Sequence, residues 1–244
     1  MVERVSNMSL EEYFRINIWQ PLHIEDMTFR PHTNALVQKN FTEMSVRQGG
    51  VSRYGTPADP AGKLEAASSQ TYWSATSDSD DCHGGSGLYG SMPSYHKILQ
   101  TFLSSPSRLL RGSSIDAMFT PQLNAVSQAA LVRVLSIPEV NTAYGSVGPV
   151  ADPDCGLGGI LNRRALDSGR PACSLTWCGY PGLVWWVDRT AGVVGIWGAQ
   201  LAPPGDERLA VLQREWEREI YERVRGTGEG KRDEEEESDA KGKL

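Results

Sequence analysis

The clearest alternation of apolar and polar positions lies between residues 174 and 206. Residues 183–189 (LVWWVDR) and 193–201 (VVGIWGAQL) are rich in β-branched and aromatic side chains, the texture of strands that pack on both faces. Thr190-Ala191-Gly192 between them is a short loop whose glycine can take φ > 0, as a hairpin connection requires. A shorter strand, 174–177, precedes them across the turn-forming Gly179-Tyr180-Pro181-Gly182. Asp206 then stands as N-cap to a helix over 207–225 whose apolar positions are Leu209, Leu212, Trp216, Ile220 and Val224. The pattern predicts a sheet core with a helix laid on it.

Upstream the pattern is helical in pieces. Val2 and Val5 suit one last turn of a helix. Ser9-x-x-Glu12 is a capping box opening a second helix that turns Leu10, Tyr13 and Phe14 inward and stops at Pro21. Residues 31–56 read as weak extended structure, and 57–85 as a long surface loop, partly disordered, because Ser, Gly, Thr and Asp dominate there. Ser91 caps a helix over 92–103 with Tyr95, Ile98, Leu99, Phe102 and Leu103 on one face. Ser113 or Ser114 caps a short helix ending before Pro121, 123–135 forms another, and 156–161 reads as a strand.

At 244 residues and 39% hydrophobic the chain can bury a sizeable core. The formal charge is −6; from residue 229 onward seven acids stand against four bases, so half of that charge sits in the last 16 residues. The remainder is only mildly acidic, which argues against nucleic acid as a partner. No apolar run is long enough to span a bilayer, and Glu3 and Arg4 interrupt any signal-peptide core, so the expectation is a cytoplasmic protein that engages no membrane. Cys82, Cys155, Cys173 and Cys178 show no C-x-x-C spacing and read as free thiols.

Several short patterns suggest chemistry. Ser94-Tyr95-His96-Lys97 has the S-x-x-K spacing of a serine acyl enzyme, but with Tyr95, Ile98, Leu99 and Phe102 facing inward, Lys97 points away and Ser94 lies on the polar flank. Cys82-His83 are adjacent in sequence, whereas a catalytic thiol and its base meet in space. His23, His32 and His96 lack metal-ligand spacing, and the Gly84-Gly85-Ser86-Gly87 loop lacks the lysine of a phosphate cradle. Neither a metal nor a cofactor is expected. Trp177-Cys178-Gly179 ends a strand where a glycine permits close approach by a ligand; composition alone favours a core tryptophan beside a turn.

Five stretches carry a resemblance: VERVSNMSLEEYFRINIWQPLHIEDMTF (2–29), GGSGLYGSMPSYHKILQTFL (84–103), AMFTPQL (117–123), CGLGGILN (155–162) and SLTWCGYPGLVWWVDRTAGVVGIWGAQLAPPGD (174–206). Together and in this order they resemble the C-terminal part of the serine β-lactamase-like (penicillin-binding and transpeptidase-like) family, in the fungal esterase and acyltransferase branch that includes the lovastatin side-chain transesterase. The resemblance implies an α+β fold, an incomplete β-lactamase/transpeptidase-like architecture. An antiparallel sheet would carry the C-terminal helix, with a helical lobe beside it. It makes 1–225 a partial β-lactamase-related domain, and the charge pattern makes 226–244 a charged disordered tail. It also implies serine acyl transfer or ester hydrolysis in secondary metabolism. The donor would be a small-molecule acyl ester or an acyl-carrier thioester. Trp177, Cys178, Gly179 and Tyr180 fall where the family's third motif lines the substrate site, and the resemblance makes the Tyr180 N–H an oxyanion donor.

In the family, the S-x-x-K serine and the assisting tyrosine both lie upstream of the stretch matched by 2–29. The resemblance therefore implies that this chain, as it stands, holds neither nucleophile nor base and is inactive alone. It would be a truncated member, a non-catalytic remnant that binds an acyl ligand or protein partner, or a fragment needing a complementing chain. The strand 193–201 would be an open edge and a surface for self-association.

Overall fold

The computed structural model describes residues 1–67, 82–104 and 107–241. Its larger sheet is an antiparallel meander in the order β3 (Pro153–Gly156), β4 (Gly159–Asn162), β5 (Ser174–Gly179), β6 (Leu183–Asp188) and β7 (Val193–Trp197), numbered along the chain after two strands described below. The β6–β7 hairpin forms as the pattern predicts. Asp188 Oδ1 accepts the N–H groups of Thr190 and Ala191, at 2.9 and 3.0 Å, and Gly192 takes φ 67°. The indole of Trp186 lies over Gly195, its register partner, in the space that any Cβ there would occupy.

Two expectations about this sheet are corrected. The strand read over 156–161 is the β3–β4 hairpin, turned at Leu157-Gly158, because Gly158 adopts φ 92°. The strand read over 193–201 ends at Trp197. Beyond it β8 (Leu201–Ala202) leaves the large sheet and pairs in parallel with β1 (Ser45–Arg47), which pairs on its other side with β2 (Leu64–Ala66). The Leu201 N–H goes to Pro181 O at 3.1 Å, and Pro203-Pro204 cannot extend a ladder. The open edge is therefore confined to Val193–Trp197. Residues 31–56 are also more ordered than expected: Asn34 accepts the N–H groups of Leu36 and Val37 and caps a helix, α3 (Ala35–Lys39). The loop read over 57–85 contains β2, and its portion 68–81 lies outside the described residues.

The helical lobe begins with α1 (Val2–Ser6) and α2 (Leu10–Phe14), the latter capped by Ser9, whose hydroxyl accepts the Glu12 N–H. Pro21 does not stop the chain's helical course. The helix widens to a π-turn over Arg15–Trp19, continues as a 3-10 turn over Gln20–Leu22 and ends at His23 in the left-handed region. The missing proline N–H leaves the preceding turn without its usual donor, and the wider turn absorbs that loss. Trp19, Leu22, Ile24, Met27 and Phe29 form the lobe's core with Tyr95 and Ile98 of α4 (Met92–Gln100), which is shorter than the expected 92–103 and lies against β6 and β7. Then follow α5 (Gly112–Met118), preceded by Arg111 and not by a serine cap, α6 (Ala125–Leu135) and α7 (Pro138–Ala143).

The last helix, α8 (Glu207–Lys241), continues past Arg225 into the segment expected to be a disordered tail, where Glu and Lys are strong helix formers. Its inward face also differs from the apolar reading. Among the helix residues whose burial is described, Ala210, Gln213, Glu217 and Tyr221 are buried, while Leu212 is exposed. The reason is a polar network between helix and sheet. Glu217 accepts two hydrogen bonds from Arg170 at 2.8 Å, one from Ser168 at 2.6 Å and one from Gln213 at 3.0 Å. Arg170 stacks over Trp186, whose indole N–H reaches the Tyr221 hydroxyl, and that hydroxyl donates to Asp188. Held by this network, in which only Arg170 Nη1 is buried without a hydrogen-bond partner, polar groups occupy a face that hydrophobicity assigns to leucines.

Candidate functional site

The register of the large sheet sets β5 apart at one end. Its pairing with β4 stops at Ile160 opposite Thr176, whereas its pairing with β6 continues through Trp177–Trp185 and Cys178–Val184 to Gly179–Leu183. Trp177, Cys178 and Gly179 thus form a strand tip held by β6, with no β4 partner on the other side. Antiparallel partners share a face, so Trp177, Gly179 and Leu183 point to the side covered by α4, and Cys178 and Val184 to the side covered by α8.

The site residues named from sequence occupy this tip. Trp177 is 42% exposed and Tyr180 39%, so the core-tryptophan reading gives way: the ring is presented, not buried. Cys178 is half-buried, and burial pushes its thiol up to about 11, which makes it a poor nucleophile. Gly179 and Gly182 close the turn through a 3.2 Å hydrogen bond, and a Cβ at Gly179 would crowd Leu183. Leu183 and Met92, both exposed, meet over Gly198 and extend the apolar rim.

One member of the rim escaped the sequence reading. Tyr144, just after α7, sets its ring 6.0 Å from that of Trp177 at 87°, an edge contact. The available signal was an aromatic residue opening the glycine-punctuated loop Tyr144-Gly145-Ser146-Val147-Gly148.

The other candidates resolve into structural roles. Ser94 is buried, contrary to its expected place on the polar flank, because Asp26 lies beneath it. Burial alone would raise the Asp26 carboxyl. Hydrogen bonds from Ser91, Ser94 and its own backbone N–H, with the Lys97 charge, outweigh that and hold it below the usual carboxylate range. Lys97 Nζ donates to His23 O at 3.1 Å while its charge acts on Asp26, so Ser94 and Lys97 both serve the packing of the helical lobe. Cys82 packs against the helical lobe's core, and the carbonyl of His83 receives the N–H groups of Ser86 and Gly87 in a turn. The four cysteines are free thiols, and among the described residues no cluster of His, Cys, Asp and Glu could hold a metal ion. No described helix is long and apolar enough to cross a membrane.

No protein-family model matches the chain. It is 34% identical over 225 residues to the monacolin J acid methylbutanoyltransferase of Aspergillus terreus, a match covering 91% of this chain and 51% of that protein. It is 31% identical over 229 residues to the ML-236A carboxylate methylbutanoyltransferase of Penicillium citrinum, covering 92% and 51%. The lovastatin esterase of Penicillium rubens is 27% identical over 222 residues, covering 91% and 53%. Among solved structures, a mutant simvastatin synthase from Aspergillus terreus superposes with a TM-score of 0.81 at 29% identity, covering 92% of this chain and 54% of that one. A hydrolase with promiscuous acyltransferase activity superposes at a TM-score of 0.59 and 18% identity, a likeness of fold. The chain spans about half the length of the curated relatives it matches.

Proposed function

We propose that this chain belongs with the fungal acyltransferases and esterases it resembles, and that on a β-lactamase-like α+β fold it contributes one wall of an acyl-binding site to their chemistry. The observation that carries this reading is the β5 tip, where exposed Trp177 and Tyr180 flank a strand edge beside Gly179. A strand edge offers backbone groups to a carbonyl, and an apolar rim beside it shelters the hydrocarbon that the carbonyl bears. The reaction class is acyl transfer or ester hydrolysis in secondary metabolism, with a small-molecule ester or a carrier-bound thioester as donor.

The same reading assigns no acyl-enzyme step to the 244 residues alone. Its support is the engagement of Ser94 with Asp26 and of Lys97 with the His23 carbonyl, which leaves the S-x-x-K pattern without a nucleophile and base that act together. Incubating the chain with a fluorophosphonate probe and reading intact mass tests this. The expected result is unmodified protein; stoichiometric labelling at a serine overturns it.

A second reading, that the chain works with a complementing polypeptide or a second copy, is favoured by β7. That strand pairs with β6 and carries Val193, Val194, Ile196 and Trp197 without a charge or proline to guard its edge. A monodisperse monomer across micromolar concentrations in sedimentation would count against it.

A further inference from the structure

Tyr144 owes its place to an unusual loop. After it the chain takes positive φ at Gly145 (77°), Ser146 (58°) and Gly148 (70°). Glycine adopts this region freely, but Ser146 does so against the preference of an L-residue. The surrounding bonds hold it there. Ser146 donates its N–H to Asn141 O at 2.9 Å, and Asn141 Oδ1 accepts the Gly148 N–H at 2.7 Å. Arg214 of α8 reaches across to donate to Ser146 Oγ at 2.9 Å. Val147 is buried between these anchors. A non-glycine residue held at positive φ by several partners points to a geometry kept for use. Tyr144 is what this loop presents: the residue is 37% exposed and its ring is edge-on to Trp177.

Resting on the acyl-binding reading of the β5 tip, we propose that Tyr144 is a specificity-determining residue of that site, and that Arg214 positions it through Ser146. Two ring planes at right angles make an apolar corner. Such a corner takes a short, neutral aliphatic acyl chain, whose methylenes can touch both rings. A free carboxylate entering it would lose hydration against the rings. Because α8 is tied to the sheet through Glu217 and Tyr221, the Arg214–Ser146 bond transmits the helix's fixed position to the tyrosine.

The test labels the full chain with 5-fluorotryptophan and assigns the Trp177 resonance by its loss in Trp177→Phe. Butanamide, a neutral and non-hydrolysable acyl probe, is then titrated, with butyrate as its charged counterpart. Butanamide should move the Trp177 resonance saturably and butyrate should not. Tyr144→Ala should weaken butanamide binding at least about threefold, the scale of one aromatic contact, while Tyr144→Phe restores it. Arg214→Met should shift the Trp177 resonance and weaken binding to a lesser degree at an unchanged melting temperature. If Tyr144→Ala binds butanamide as the wild type does, the role of Tyr144 is overturned, and an Arg214→Met protein indistinguishable from wild type overturns the positioning role. Equal binding of butyrate overturns the neutral-acyl assignment. A wild-type Trp177 resonance that butanamide never moves overturns the acyl-binding reading underneath.

Discussion

Replacing Glu217 with alanine should cost this protein a large part of its stability. The Glu217 side chain is 2% exposed and that of Arg170 1%, and the carboxylate accepts four hydrogen bonds, two from the guanidinium and one each from Ser168 and Gln213. The substitution leaves a buried cation, a hydroxyl and an amide without their acceptor. Breaking a buried pair from one side costs about 3–5 kcal/mol, because the remaining charge stays desolvated. Set against a total of roughly 5–15 kcal/mol, that is about a fifth at the least, and about two fifths at the middle of both ranges. At about 2–4 °C per kcal/mol for a chain of this size, the melting temperature should fall by roughly 10 °C. The double variant Arg170→Met, Glu217→Leu removes both charges and fills the space with apolar atoms, so it should recover most of the loss. Urea denaturation followed by tryptophan fluorescence and far-ultraviolet circular dichroism gives both values, with Trp186 beneath Arg170 as a native-state reporter. A Glu217→Ala loss within about 1 kcal/mol of wild type refutes the reasoning, since surface pairs have that value. Strict additivity in the double variant refutes it equally.

Two further predictions concern the ends of the same layer. Burial raises the Cys178 thiol from 9.0 to about 11. At pH 8 it should therefore carry about a hundredfold less thiolate than an unshifted thiol, and a variant with the other three cysteines changed to serine should react with a disulfide reagent at a rate that climbs toward pH 11. A rate that levels off below pH 9 contradicts this. The folded protein keeps a proton that the unfolded chain releases between 9.0 and about 11, so the Cys178 contribution to stability is full below that window and declines through it. Asp206 caps α8 through the Leu209 N–H at 2.9 Å and pairs with buried Arg47, which also donates to Gly62 O at 2.7 Å. Asp206→Ala should cost about 3–5 kcal/mol and Asp206→Asn less, since the amide oxygen can still cap the helix. Faster hydrogen exchange in β1 and the first turn of α8 would accompany the loss; unchanged exchange in both would contradict it.

Local signals in the sequence settled much of this protein. Ser9, Ser91 and Asp206 cap helices through hydrogen bonds that span three residues each. The β6–β7 hairpin follows from two apolar runs and a glycine loop for the same reason: strand texture and turn chemistry act between neighbours. The order of motifs along the chain was enough to indicate the family, and Trp177, Cys178, Gly179 and Tyr180 were named from that order. Their exposure was not. Whether Trp177 packs or is presented depends on where β4 stops pairing with β5, which is a matter of register. The polar inner face of α8 was hidden because Glu217 and Arg170 are 47 residues apart, and neither residue alone shows that the other will neutralise it. β8 left the large sheet for β1, a partner some 150 positions away. Tyr144 meets Trp177 only because a loop with three positive φ angles and a hydrogen bond from Arg214 bring it there. Caps, turns and strand texture are interactions between near neighbours, so the sequence by itself determined them. The aromatic rim and the buried ion pair join distant segments, and only the tertiary structure decided them.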